Sequence, residues 1–101
     1  MNKAYLFKIG FVNFILNVQY SSIGYGYPRL FVEFPNGDHI NIDFTVGTVF
    51  GMRQFDWDSW LDGTEIKLDD EETIRKTIDE AGIANWDNLL DSIMKAAEDK
   101  E

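Results

Sequence analysis

The sequence predicts an α+β domain: a small antiparallel β-sheet of three to five strands, drawn from the N-terminal half, packed on one face by two C-terminal α-helices. Three observations carry this expectation. Apolar residues alternate with polar ones from Val12 to Tyr20 and on both sides of Phe34-Pro35-Asn36-Gly37-Asp38, the period of strands and a hairpin. Beyond Asp69 the apolar residues recur at spacings of three and four, the period of helices. The chain has 101 residues, so one domain over 1–101 is expected, large enough to bury roughly two-thirds of the surface exposed on unfolding.

Taken in order, Ala4 to Ile9 is rich in strand formers, with a helix as the competing assignment, and Gly10 marks a bulge or turn. In the next strand Val12, Phe14, Leu16, Val18 and Tyr20 share one face, and Asn13, Asn17 and Gln19 the other, which reads as half-buried. The hairpin after it is the best defined element. Pro35 presets φ at the second turn position, Asn36 suits the third and Gly37 the left-handed bulge position, so that Phe34 pairs with Asp38. Val32 then faces Ile40 and Leu30 faces Ile42, while Glu33 meets His39 and Arg29 meets Asp43 on an exposed face. A two-residue Asn-Gly loop mixes polar with apolar partners on both faces and is rejected. A further strand is expected over Thr48 to Phe55, a turn or helical loop over Asp56 to Leu61, and a short strand over Glu65 to Leu68 after the Asp62-Gly63 turn.

The first helix is expected to start at Asp69 with Glu72 in a capping box. It carries Ile74, Ile78 and Ala81 as its apolar stripe and stops in a Schellman motif at Gly82-Ile83. Asn85 then caps a second helix whose buried side holds Trp86, Leu89, Leu90, Ile93, Met94 and Ala97.

Charge divides the chain. Residues 1–50 hold three acids and three bases, whereas residues 51–101 hold fifteen acids and six bases, so the whole net charge of −9 lies in the second half. Disorder is not expected in spite of that charge, because 45% of residues are hydrophobic and 15% aromatic. With no Lys/Arg cluster, direct nucleic-acid binding through a basic face is disfavoured, and an anionic membrane repels the chain. The apolar N-terminus is not read as a signal peptide, since Asn13, Asn17 and Gln19 interrupt it at strand spacing, and no eighteen-residue window is continuously apolar. The absence of cysteine excludes disulfides and thiolate metal sites and suits a reducing, cytoplasmic setting for a soluble protein.

A single histidine, His39, leaves no triad and no two-histidine metal site. Its pairing with Glu33 reads as a cross-strand charge pair rather than an acid/base unit. Asp58 to Asp69 resembles a calcium loop at Asp62, Gly63 and Asp69, but Trp60 stands where the third position needs an oxygen, so the match fails. No cofactor is expected. Glu71, Arg75 and Asp79 form one i,i+4 ladder and Glu72, Lys76 and Glu80 another, both ordinary solvated pairs. The remaining acids, Asp56, Asp58, Asp62, Glu65, Asp69 and Asp70, fall within fifteen residues that contain one base, Lys67. Trp57 and Trp60 lie among them, and aromatic anchors ringed by charge are how interfaces combine affinity with steering. Tyr25 and Tyr27, in the Tyr/Ser/Gly segment from Tyr20 to Pro28, add a second candidate contact region with the composition of adaptable binding loops.

The function expected from these residues is non-enzymatic: an acidic protein that engages a basic, nucleic-acid-binding surface of another protein, with carboxylates where phosphates would sit. In size and charge alone it resembles small acidic immunity proteins and phage- or plasmid-encoded inhibitors of defence nucleases. The alternatives are a metal-dependent small-ligand enzyme using the Asp56 to Asp70 carboxylates, and a structural or assembly subunit that associates with its own copies.

Overall fold

The alternating segments form consecutive antiparallel strands β1 (Lys3–Ile9), β2 (Val12–Tyr20), β3 (Gly26–Glu33) and β4 (His39–Asp43). The structure, a computed structural model, describes residues 3–20, 26–44, 48–50 and 64–100. β5 (Thr48–Phe50) pairs antiparallel with β4, which completes a five-stranded antiparallel sheet. β6 (Thr64–Lys67) lies parallel to β1 at the opposite edge, giving the order β5-β4-β3-β2-β1-β6. The remainder of the strand expected to Phe55 and the turn over Asp56 to Leu61 lie outside the described residues.

β1 and β2 meet in a two-residue turn, because Ile9 pairs with Val12, and the helical alternative for this region is excluded. Gly10 has φ +60 there, a conformation that favours glycine, and a Cβ at this position would press on Met94 Cε at 3.3 Å. The second hairpin has the expected register: Phe34 N donates to Asp38 O at 2.8 Å, Gly37 N to Phe34 O at 2.9 Å, and Gly37 sits at φ +93. Glu33 pairs with His39, Val32 with Ile40, Leu30 with Ile42 and Arg29 with Asp43.

The helices are α1 (Glu71–Glu80) and α2 (Trp86–Glu98). The α1 cap falls one residue later than expected. Asp70, not Asp69, accepts from Thr73 N at 2.6 Å and Thr73 Oγ1 at 2.7 Å, since Thr73 offers a backbone and a hydroxyl donor to one carboxylate. The Schellman stop is present, with Ile83 N donating to Ile78 O and Gly82 N to Asp79 O. Asn85 occupies the α2 cap in the left-handed region, φ 58, but its side chain makes no capping hydrogen bond.

Both helices pack on the sheet face formed by Phe7, Val12, Phe14, Leu16, Val18, Leu30, Val32 and Ile42, against which they set Ile74, Ile78, Trp86, Ile93 and Ala97. Phe7 and Phe14 stack at 5.0 Å, and the Trp86 ring meets them edge-on at 6.4 and 6.0 Å. Edge-to-face contact of this kind adds about 0.5–1.5 kcal/mol per pair beyond the buried area.

The face away from the helices departs from the expected exposed surface. Its register makes three rows across the strands. Lys8, Asn13, Glu33 and His39 form one, Leu6, Ile15, Phe31 and Asn41 the next, and Ala4, Asn17, Arg29 and Asp43 the third. Ile15, Phe31, Ala4, Asn17 and Asn41 are buried, and Arg29 and His39 are half-buried. The cause lies in two uninterrupted apolar runs, Phe14-Ile15-Leu16 and Leu30-Phe31-Val32. Set side by side, with Ile15 opposite Phe31, they make β2 and β3 central strands apolar on both sides.

Candidate functional site

The helical layer sets out the acidic surface. Burial of Ile74 and Ile78 turns Glu71, Glu72, Arg75, Lys76, Asp79 and Glu80 of α1 to solvent, and burial of Trp86, Ile93 and Ala97 does the same for Asp87, Asp91, Lys95 and Glu98 of α2. From Thr64 to Lys100 there are eleven carboxylates, all exposed, against five bases. Two of the bases are already engaged. Arg75 bonds Asp87 at 2.9 Å and stands 3.8 Å from Glu71, so it crosses to α2 rather than completing a ladder to Asp79. Lys100 bonds Asp38 at 2.7 Å and lies 5.5 Å from the centre of the Phe34 ring, which joins the end of α2 to the β3–β4 turn.

A groove of about 800 Å³ runs between α1 and the first turn of α2, floored by Ile78, Ile83 and Trp86 and rimmed by Glu72, Asp79 and Asp87. Two carboxylates are held below their ordinary range. Asp38 is lowered by its hydrogen bond from Lys100, with Asn36 adding to it, and Asp70 by the hydroxyl and then the backbone N–H of Thr73.

Of the residues expected to contact a partner, Glu65 is exposed on β6 opposite Ala4, and Asp69 is exposed between β6 and α1. Asp70 has a second occupation as the α1 cap. Tyr27 lies on β3 opposite Gln19. Asp56, Trp57, Asp58, Trp60, Asp62 and Tyr25 lie outside the described residues. In the described structure Asp69 and Asp70 lead into the acids of α1, whereas Glu65, opposite Ala4, lies on the helix-free face of the sheet.

The expected Glu33-His39 pair keeps its register, but the side chains turn elsewhere. Glu33 accepts from Asn13 Nδ2 at 3.3 Å, and the His39 ring tilts against Phe31 at 5.6 Å. Sequence reasoning passed over the polar residues of that face. Asn17 is fully buried and its Oδ1 accepts from Arg29 Nη2 at 3.4 Å, while Asn41 Oδ1 is buried with no hydrogen-bond partner among the described residues. Buried amides inside an apolar row are unusual enough to single out a position. The signal for them was the two apolar triplets, which place their polar neighbours against an apolar strip rather than in water.

Among the described residues no group of three or more His, Asp or Glu side chains is placed to hold a metal ion, and no helix is long and apolar enough to cross a membrane. Comparison with protein-family models, with curated proteins and with solved structures finds no match.

Proposed function

We propose that this is a non-enzymatic, cytoplasmic protein whose acidic helical side binds a basic surface on another protein. The partner by this reading is a nucleic-acid-handling protein such as a nuclease, inhibited by carboxylates that occupy phosphate positions. The supporting observation is the exposed carboxylates of the helical layer, seven on the two helices with Asp69, Asp70 and Asp99 at their ends, together with the Arg75–Asp87 bond that links the helices. Rigid elements hold a charge array better than loops do, and such an array raises association rates through steering. The segment from Asp56 to Asp62, with its two tryptophans, is part of the same proposal as a source of aromatic anchors.

The test is capture of a basic nucleic-acid-binding protein from lysate, followed by measurement of its affinity at rising ionic strength. Screening makes the affinity fall steeply between about 0.05 and 0.5 M salt. Reversal of Glu72 and Asp79 to lysine, compared with reversal of Asp58 and Asp62, assigns the contact to the helices or to the tryptophan segment. Affinity that is flat in salt and indifferent to both pairs rejects the charge mechanism.

A further inference from the structure

A second concavity lies on the other side of the molecule, and its chemistry differs from that of the acidic helices. At the lower end of the helix-free face a cleft of about 330 Å³ is floored by Leu6 and Ile15. Lys8 and Lys67 line one side, Asn13 and Glu33 the other, and Asp69 stands at the rim. The volume is at the small end of the range for small-molecule sites, about 300–1,000 Å³.

The placement of the two lysines is the informative feature. Lys67 pairs with Leu6 in the β6–β1 ladder, and Lys8 is two residues further along β1, so both project from the same face on adjacent strands. Like charges so close oppose each other. Neither has an ion-pair partner among the described residues, although the chain carries eighteen acids to nine bases. Glu33, across the floor, accepts from Asn13 and lies two strands from Lys8, while Glu65 shares the Lys67 face of β6 and forms no ion pair with it. The site therefore offers an apolar strip ending at two ammonium groups that have no ion-pair partner among the described residues, inside a protein of net charge −9.

We infer that this cleft binds a small amphipathic carboxylate, its hydrocarbon or aromatic body on Leu6 and Ile15 and its carboxylate between Lys8 and Lys67. The inference does not rest on the proposed protein partner, although Asp69 borders both this cleft and the acidic helical side. Asp69 at the rim opposes such a ligand, which makes the charge logic testable in both directions.

The probe is sodium octanoate, titrated at neutral pH into the full-length ¹⁵N-labelled protein, with 1-octanol as the uncharged control of the same length. Saturable shifts are expected at the amides of Leu6, Ile15 and Lys67, with octanol binding about tenfold more weakly, a difference of about 1.4 kcal/mol. Lys8→Gln with Lys67→Gln, both exposed positions, should weaken octanoate by tenfold or more while leaving octanol unchanged, and Asp69→Asn should tighten it. Octanol binding as well as octanoate, shifts confined to the helices, or affinity unmoved by the lysine pair would each overturn the assignment. So would the absence of any saturable shift.

Discussion

The two faces of this sheet are built from the same strands, residue by alternate residue, and they solve different problems. The face under the helices carries the main apolar cluster, closed by Phe7, Phe14 and Trp86 in mutual contact. On the other face the apolar cluster among the described residues is Ala4, Ile15 and Phe31 with Leu6 against it, bordered on both sides by rows containing Asn, Arg, Lys and Glu. Backbone geometry is common to both, so the difference is one of side-chain chemistry alone. Cohesion is concentrated on the first face, and polar and charged side chains stand beside the apolar strip on the second.

Neighbouring residues 14 and 15 give the sharpest way to break that comparison. Phe14→Ala removes a stacked ring from the main core and should cost about 3–5 kcal/mol in urea unfolding. Ile15→Ala, almost as well buried, should cost about 2 kcal/mol, because its cluster is small and includes no helical side chain. Equal costs would show that the second face contributes to the core as strongly as the first.

The two buried amides sharpen the same contrast at a smaller scale. Asn17→Leu removes an acceptor used by Arg29 and should destabilise by about 1–3 kcal/mol. Asn41→Leu removes an acceptor without a described partner and should be neutral or stabilising, by up to about 1 kcal/mol. A large loss at Asn41 would mean that its oxygen is engaged in solution.

Smaller effects are expected from the carboxylates at the periphery. Asp70→Ala should lower the melting temperature where Asp69→Ala does not, which separates the cap from its neighbour. Asp38 and Asp70 both have folded-state pKa values below the ordinary 3.8. Their contributions are therefore complete above that value and disappear as the pH falls through the folded-state values. The melting-temperature gap between the unmodified protein and Lys100→Met should accordingly be present at pH 6 and shrink as the pH falls below 3.8. A gap that persists in acid would assign the effect to Lys100 packing on Phe34 instead.

Local patterns carried most of the fold. The Pro35-Asn36-Gly37 turn, with the matching of apolar partners on one face, determined the register of β3 and β4, and the spacing of Ile74 and Ile78 and of Trp86, Ile93 and Ala97 placed both helices. What remained hidden depends on partners distant in sequence. The alternation from Val12 to Tyr20 looks one-sided until Ile15 is set beside Phe31, a neighbour no local window contains. The choice of Asp70 over Asp69 as cap turned on a hydroxyl at Thr73, a competition that spacing rules do not rank. The lysine cleft was illegible for the same reason as the second face, since Lys8 and Lys67 become neighbours only through a parallel pairing between strands far apart in sequence.

That pairing also orders assembly in time. β1 to β4 join through hairpins between sequence neighbours, whereas β6 reaches β1 only after Lys3 and Thr64 have been brought together. Closing so long a loop is entropically late, so the meander has to exist before its sixth strand has anything to pair with. Fraying should retrace the sequence in reverse, with the amides of Thr64 to Lys67 exchanging with solvent before those of β2 and β3. Loss of β6 would carry Lys67 away from Lys8 while the aromatic core stayed intact, so the cleft can dissolve without the domain unfolding.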